Sequence, residues 1–250
     1  MPHRERTAHA VLAHGQTVPY AVAGAGPPVV LVHGLGGSAR IWKSTATALA
    51  TRYCVYRLDL PGFGSLRGHD RLALAEAADW LRRVLEAIDL PATYLVGHSM
   101  GAYICLRLAA AAPEAVRRLA LVAPSGVPTG WSLLGHAIRF LCPAPYTPPS
   151  AAPALLWDLL RAHPLAMWRA ARALVAEDAR ASCRLIAMPT LLLWGSADPL
   201  GTARVRQVWC EALPQAQVVV LPRAGHAPMV DQPALFATAL CRFLADEAVG

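Results

Sequence analysis

No apolar run in this 250-residue chain approaches the roughly 20 residues that cross a bilayer as a helix; stretches such as Val29 to Val32 and Leu119 to Ala123 are far shorter. The start, Met1-Pro2-His3-Arg4-Glu5-Arg6, is polar and leads into no apolar stretch of signal-peptide length, so no secretory signal is read and a cytoplasmic protein is expected. Charge is scarce, at 16% of residues against 55% hydrophobic, which excludes intrinsic disorder. The six cysteines, Cys54, Cys105, Cys142, Cys183, Cys210 and Cys241, include no C-x-x-C pair and mostly sit in apolar stretches, so they read as free buried thiols with no metal site. Lysine is nearly missing: of 23 basic residues only Lys43 is not an arginine. The net charge of +7 is spread along the chain, with pairs such as Arg82-Arg83 and Arg117-Arg118 as its tightest groups. A nucleic-acid footprint would be a basic stripe, so nucleic acid is not expected as a partner, while an acidic partner or substrate stays open.

From residue 17 to 123, short runs rich in Val, Leu and Tyr alternate with longer helical segments punctuated by Gly and Pro, the pattern of a largely parallel sheet with crossover helices. Thr17 to Ala23 and Val29 to His33 flank Gly24-Ala25-Gly26-Pro27-Pro28 and suggest a hairpin. Further strands are expected at 53–59, 93–97 and 117–123, and helices at 39–50, 71–89 and 99–112. Seven prolines then fall between Pro124 and Pro153, with no acidic residue from Ala115 to Trp157, which excludes regular sheet there. Two helical stretches follow, with Pro153 and Pro164 near their starts. Alternation resumes with strands at 190–195 and 217–221 and helices at 202–213 and 233–247. The chain thus divides into a core, 1–124 and 188–250, and an insertion, 125–187.

Gly97-His98-Ser99-Met100-Gly101 joins the apolar run Tyr94-Leu95-Val96 to the helical run Ala102 to Ala112. Strand, sharp turn and helix are the context of a nucleophile elbow, which lifts Ser99 Oγ above the sheet and aims a helix N-terminus at developing negative charge. A serine hydroxyl is a poor nucleophile at neutral pH, so a histidine base and an orienting carboxylate must follow in later strand-end loops. Trp194-Gly195-Ser196-Ala197-Asp198-Pro199 supplies Asp198, and Arg223-Ala224-Gly225-His226-Ala227-Pro228 supplies His226.

The other histidines sit elsewhere. His33 and His98 read as structural, bonded to their loops, and His3, His9, His14, His69, His136 and His163 as solvated or partly buried. Pro124-Ser125-Gly126-Val127 contains no carboxylate; Asp59 precedes the serine and reads as structural; Asp231 is expected to cap the final helix. For the oxyanion, the glycines of His33-Gly34-Leu35-Gly36-Gly37-Ser38 allow close backbone approach, and the N–H groups of Leu35 and Met100 are the assigned donors. The spacing of that loop fits neither dinucleotide nor P-loop patterns.

Taken together, His33-Gly34-Leu35-Gly36-Gly37, Asp59-Leu60-Pro61-Gly62-Phe63-Gly64, Gly97-His98-Ser99-Met100-Gly101, Asp198 and His226 resemble the α/β-hydrolase fold superfamily, in its branch of small serine esterases, carbon-carbon bond hydrolases and cofactor-free perhydrolases. The resemblance covers roughly residues 17 to 124 and 188 to 247. It implies an α/β fold with an eight-stranded, mostly parallel sheet flanked by helices and the insertion as a helical lid after the sixth strand. Haloalkane dehalogenases and epoxide hydrolases are similar but need an aspartate in the elbow, so Ser99 excludes them.

The insertion would choose the substrate. Trp131, Phe140, Trp157 and Trp168 are its candidate pocket residues, implying a hydrophobic acyl or alkyl part. Its arginines, Arg139, Arg161, Arg169, Arg172, Arg180 and Arg184, are set against only Asp158, Glu177 and Asp178, a surplus of three that reads first as solvated helix faces, with an acidic carrier protein or a carboxylate-bearing substrate as the alternative. The expected function is a cofactor-independent serine carboxylesterase acting on a small ester through an acyl-enzyme on Ser99. A methyl-ester esterase on carrier-bound acyl chains, or a lactonase, thioesterase, carbon-carbon hydrolase or lyase with the same triad, are the alternatives. A non-catalytic binding module is disfavoured because every catalytic part is present.

Overall fold

The computed structural model describes residues 5–68, 73–90, 92–141 and 146–247. His3, His69 and Cys142 lie outside the described residues, as does the start of the helix expected at 71–89. The chain runs β1 (Arg6–Val11), β2 (Thr17–Ala23), β3 (Pro28–Val32), α1 (Lys43–Leu49), β4 (Cys54–Leu58), α2 (Ala77–Ala87), β5 (Thr93–His98), α3 (Met100–Ala111) and β6 (Val116–Val122). Four helices follow, α4 (Leu133–Leu141), α5 (Ala152–Arg161), α6 (Pro164–Ala176) and α7 (Arg180–Cys183). The sheet then resumes with β7 (Thr190–Gly195), α8 (Ala203–Ala212), β8 (Gln217–Leu221), α9 (Pro228–Asp231) and α10 (Pro233–Leu244).

The eight strands lie in the order β1-β2-β4-β3-β5-β6-β7-β8. β2 is antiparallel to both β1 and β4, and every other pair is parallel. The hairpin expected between 17–23 and 29–33 does not form: β2 pairs with β1 and β4, and β3 lies between β4 and β5. Gly24 and Gly26, both at positive φ, carry the connection so tightly over the end of α1 that a Cβ on either would strike backbone carbonyls of residues 50 to 53. β1 went unread because Arg-Thr-Ala-His-Ala-Val is a half-exposed edge strand with little apolar signal.

Alternate strand residues feed two apolar layers. Val30, Val32, Leu95, Leu121, Leu192 and Trp194 pack with α2, α3 and α8 on one face. Val29, Leu31, Val96, Val122, Leu191 and Leu193 pack with α1 and α10 on the other. Covered on both faces, β3, β7 and the Leu119 to Val122 part of β6 read as continuous apolar runs, as buried parallel strands do. Parallel strands end on the same edge of the sheet, so the loops after β3, β5, β6, β7 and β8 converge there.

Candidate active site

β5 ends at His98, α3 begins at Met100, and Ser99 between them holds φ 52° and ψ −114°. A non-glycine residue in that region costs about 1–3 kcal/mol and persists only where its surroundings over-determine it. Here Ser99 N–H donates to Val122 O at 2.9 Å and Ser99 O accepts from the Tyr103 amide at 3.2 Å. A side chain on Gly97 would strike the backbone of Gly101 and Ala102, and one on Gly101 the carbonyls of Val32 and His33. The two glycines are what allow strand, elbow and neighbouring strand to pack this closely.

The loops after β7 and β8 are tied together by Ser196 N to Leu221 O (2.9 Å) and Ala197 N to Ala224 O (2.9 Å). The tie brings Asp198 to His226: His226 Nδ1 lies 3.0 Å from Asp198 Oδ1 and 3.1 Å from Oδ2, and His226 Nε2 lies 3.1 Å from Ser99 Oγ. A carboxylate only accepts, so Nδ1 carries the imidazole proton and Nε2 is free to accept the one on Ser99. Burial alone would raise the Asp198 carboxyl, but the charge and hydrogen bond of His226 and the amides of Gly201 and Leu200 outweigh it and hold the group below the usual carboxylate range.

Two further histidines frame the site. His98 Nε2–H donates to the backbone carbonyl of His226 at 2.8 Å, its ring centroid 5.0 Å from that of His226. Burial, with the His226 charge adding to it, drives the His98 pKa down to about 3. His33 Nδ1–H donates to Gly34 O (2.8 Å) while its Nε2 accepts from the Leu60 amide (2.9 Å), and burial lowers its pKa too. Asp59 accepts from the Ala39 amide and from the Ser65 amide and hydroxyl. These bonds brace the loop of residues 33–38, which carries Leu35 to the cavity beside Ser99. Met100 is the first residue of α3, so its N–H has no intrahelical acceptor. Among the described residues neither the Leu35 nor the Met100 amide donates to a protein group.

Ser125 was not singled out as functional from the sequence. Ala123, at φ 44°, turns the chain after β6, and Ser125 Oγ comes to 3.0 Å from Ser99 Oγ. With the Ser99 proton directed at His226, Ser125 is the donor in that contact. Asp231 does not cap α10: it accepts from the Gly225 amide (2.6 Å) and from Thr147 Oγ1 (2.8 Å), bracing the His226 loop from below and tying it to the inserted segment.

Ser99 and His226 open into a cavity of about 250 Å³. Leu35 and Leu200 reach it from the core loops, and Phe140, Leu159, Met167 and Leu174 from α4, α5 and α6. Its lining residues include no Asp, Glu, Lys or Arg. His136, partly buried, lines it with both ring nitrogens engaged, Nε2 with Thr129 Oγ1 (3.0 Å) and Nδ1 with Ser132 O (3.0 Å).

A family model for the alpha/beta hydrolases matches residues 29–239. The chain belongs to the alpha/beta hydrolase family. It is 33% identical to the pimeloyl-[acyl-carrier protein] methyl ester esterase of Chromobacterium violaceum, over 90% of this chain and 97% of that one. It is 29% identical to the esterase of the same name from Nitrosomonas europaea, over 85% and 94%. Among solved structures, the enol-lactonase of Burkholderia xenovorans LB400 superposes with a TM-score of 0.82, at 20% identity, over 95% of this chain and all of that one, a likeness of fold.

Of the four aromatic residues expected to form the pocket of this alpha/beta hydrolase, Trp131 and Phe140 line the cavity and Trp157 and Trp168 do not. Both are about half exposed, each under the guanidinium of the arginine four residues on, Arg161 at 5.0 Å and Arg172 at 5.4 Å. α5 turns Asp158 and Leu159 inward, and α6 turns Met167 and Ala171 inward, which leaves the tryptophans on the outer sides. Of the arginines, Arg139 lies 4.1 Å over the Trp131 ring and Arg180 is paired with Asp178 at 2.5 Å. The buried Asp158 accepts from Ser38 Oγ and from Arg40, both at 2.6 Å, and so fastens α5 to the end of the 33–38 loop.

Proposed function

We propose that this alpha/beta hydrolase is a serine carboxylesterase that works through an acyl-enzyme on Ser99, with residues 125–187 as a lid over the cavity. The observation that carries the reading is the unbroken series from Asp198 through His226 to Ser99 Oγ, with contacts of 3.0 and 3.1 Å, at the floor of an apolar cavity. Ser99 Oγ attacks the ester carbonyl carbon while its proton passes to His226 Nε2. The resulting oxyanion accepts from the amides of Leu35 and Met100, and Asp198 stabilises the imidazolium. The tetrahedral species collapses by breaking the bond to the alcohol oxygen, which takes the proton from His226 Nε2 and leaves. Water then loses a proton to His226 and attacks the acyl carbon, and the proton returns to Ser99 as the acid departs. Ser125 can donate to the leaving oxygen once the Ser99 oxygen is bonded to carbon.

A cavity without a charged side chain suits a neutral acyl or alkyl group and penalises a buried carboxylate, which would lose its hydration without a partner. The 33% identical relative named for carrier-bound methyl esters favours a second reading, in which that class of ester is the substrate and the arginines of the lid receive an acidic carrier. A chain-length series of nitrophenyl esters run beside a carrier-bound acyl methyl ester tests both. Turnover of simple esters that rises with acyl length supports the carboxylesterase reading. Negligible turnover of every simple ester with hydrolysis of the carrier-bound one supports the second, and failure of both rejects the function.

A further inference from the structure

Helices α4, α5 and α6 are apolar on two opposite sides. One side of each faces the cavity, through Phe140, Leu159 and Met167. The other faces solvent. On α4, Leu134, Ile138 and Leu141 stand four and three residues apart and are 62–69% exposed. On α5, Leu156 and Leu160 stand four apart with Trp157 beside them, and on α6 Trp168 lies one turn after Leu165, all exposed. A helix with apolar residues on two opposite sides ordinarily has an apolar neighbour on each. The core supplies one, and nothing among the described residues covers the other.

The same outward sides are cationic. Arg161, Arg169 and Arg172 are exposed on α5 and α6, two of them laid against the outward tryptophans. The acidic residue of these helices, Asp158, is buried and turned toward Ser38 and Arg40. Leucine and tryptophan flanked by arginine, with no exposed acid, is the chemistry of a surface that rests in the headgroup layer of an anionic membrane. A second copy of the chain would instead bring like charges face to face. Ala137 and Leu141 are exposed and also line the cavity, so the outward apolar surface runs into the cavity mouth. No helix among the described residues is long and apolar enough to cross a membrane, so the contact is peripheral.

We propose that the outward faces of α4, α5 and α6 dock on an anionic phospholipid surface, with the leucines and tryptophans at the acyl boundary, the arginines at the phosphates and the cavity mouth against the lipid. The inference concerns attachment and stands whether or not Ser99 cleaves esters.

The test is sedimentation of the full-length chain with vesicles of phosphatidylcholine alone and of phosphatidylcholine mixed equally with phosphatidylglycerol, with tryptophan emission followed in parallel. The expected result is binding to the mixed vesicles, a blue-shifted emission, and release by salt. Replacing Arg161→Gln with Arg172→Gln lowers the binding constant about fivefold per arginine, and Leu134→Ser with Leu160→Ser lowers it at least roughly tenfold. These side chains lie outside the cavity lining, and a thermal melt matching the wild type shows that each variant is folded. Absence of binding to the mixed vesicles overturns the proposal, as does binding that neither variant weakens. A dimer abolished by the leucine pair, or protection of these helices by an acidic carrier protein without vesicle binding, assigns the face to another partner and overturns it equally.

Discussion

Ser99 combines a left-handed backbone, a hydroxyl within 3.1 Å of an imidazole nitrogen and a position at the N-terminus of α3. The glycines on either side are there for space. Gly97→Ala or Gly101→Ala sets a methyl group against backbone that cannot yield, so each is expected to destabilise the protein by about 3 kcal/mol or more, measured by urea unfolding. Ser125→Ala leaves the Ser99 to His226 contact in place but removes a donor beside the reacting oxygen. It is expected to lower kcat by about tenfold with little change in KM, read from steady-state ester hydrolysis.

His98 yields a pH prediction. Its folded pKa is about 3, against 6.5 for an ordinary histidine. Between those values the unfolded chain binds a proton that the folded one does not, so stability falls as pH is lowered from about 6.5, and it is fully present above. Burial pushes His33 in the same direction. His98→Gln keeps a donor toward the His226 carbonyl and removes the titration, so its melting temperature should fall less steeply than that of the wild type between pH 6.5 and 5. Equal slopes would contradict the assignment.

At the scale of elements, the inserted helices are held to the core by side chains distant in sequence. Asp158 on α5 reaches Ser38 and Arg40, and Thr147 reaches Asp231 beside the His226 loop. Asp158→Ala leaves Ser38 without its buried acceptor and frees α5 from the loop that carries Leu35. The expected loss is about 1–3 kcal/mol, with faster proteolysis within 146–187 than elsewhere. None of these ties could be read from the sequence, because a carboxylate on a helix does not name a partner 120 residues away. The tryptophans were misplaced for a related reason: on helices with apolar residues on two opposite sides, periodicity cannot tell the cavity side from the outer side, and Trp157 and Trp168 fell on the outer one. Strands were legible where an apolar run marks them, as in β3, β7 and β8, whereas the mostly exposed edge strand β1 was missed and its neighbour β2 was given the wrong partner.

At the scale of the whole molecule, the parallel sheet does the assembling. Ser99, Asp198 and His226 follow three different strands, and their chain order is recognisable because each lies just past an apolar run. What the sequence left open was the character of the cavity. Its lining draws on residues from 35 to 226, and only the folded chain shows that no charged side chain among the described residues lines it. The +7 charge also divides at this scale: Arg180 is spent on a local ion pair, whereas Arg161 and Arg172 lie outward on tryptophan rings.

The central claim is that Ser99 is the nucleophile. Intact-mass measurement after treatment with a fluorophosphonate, followed by peptide mapping, tests it directly. The account predicts one adduct per chain, located on Ser99 and absent from Ser99→Ala, whose ester hydrolysis falls by roughly 10³-fold or more. A folded wild-type chain that takes up no adduct, or a Ser99→Ala variant that still labels and hydrolyses esters, would contradict it.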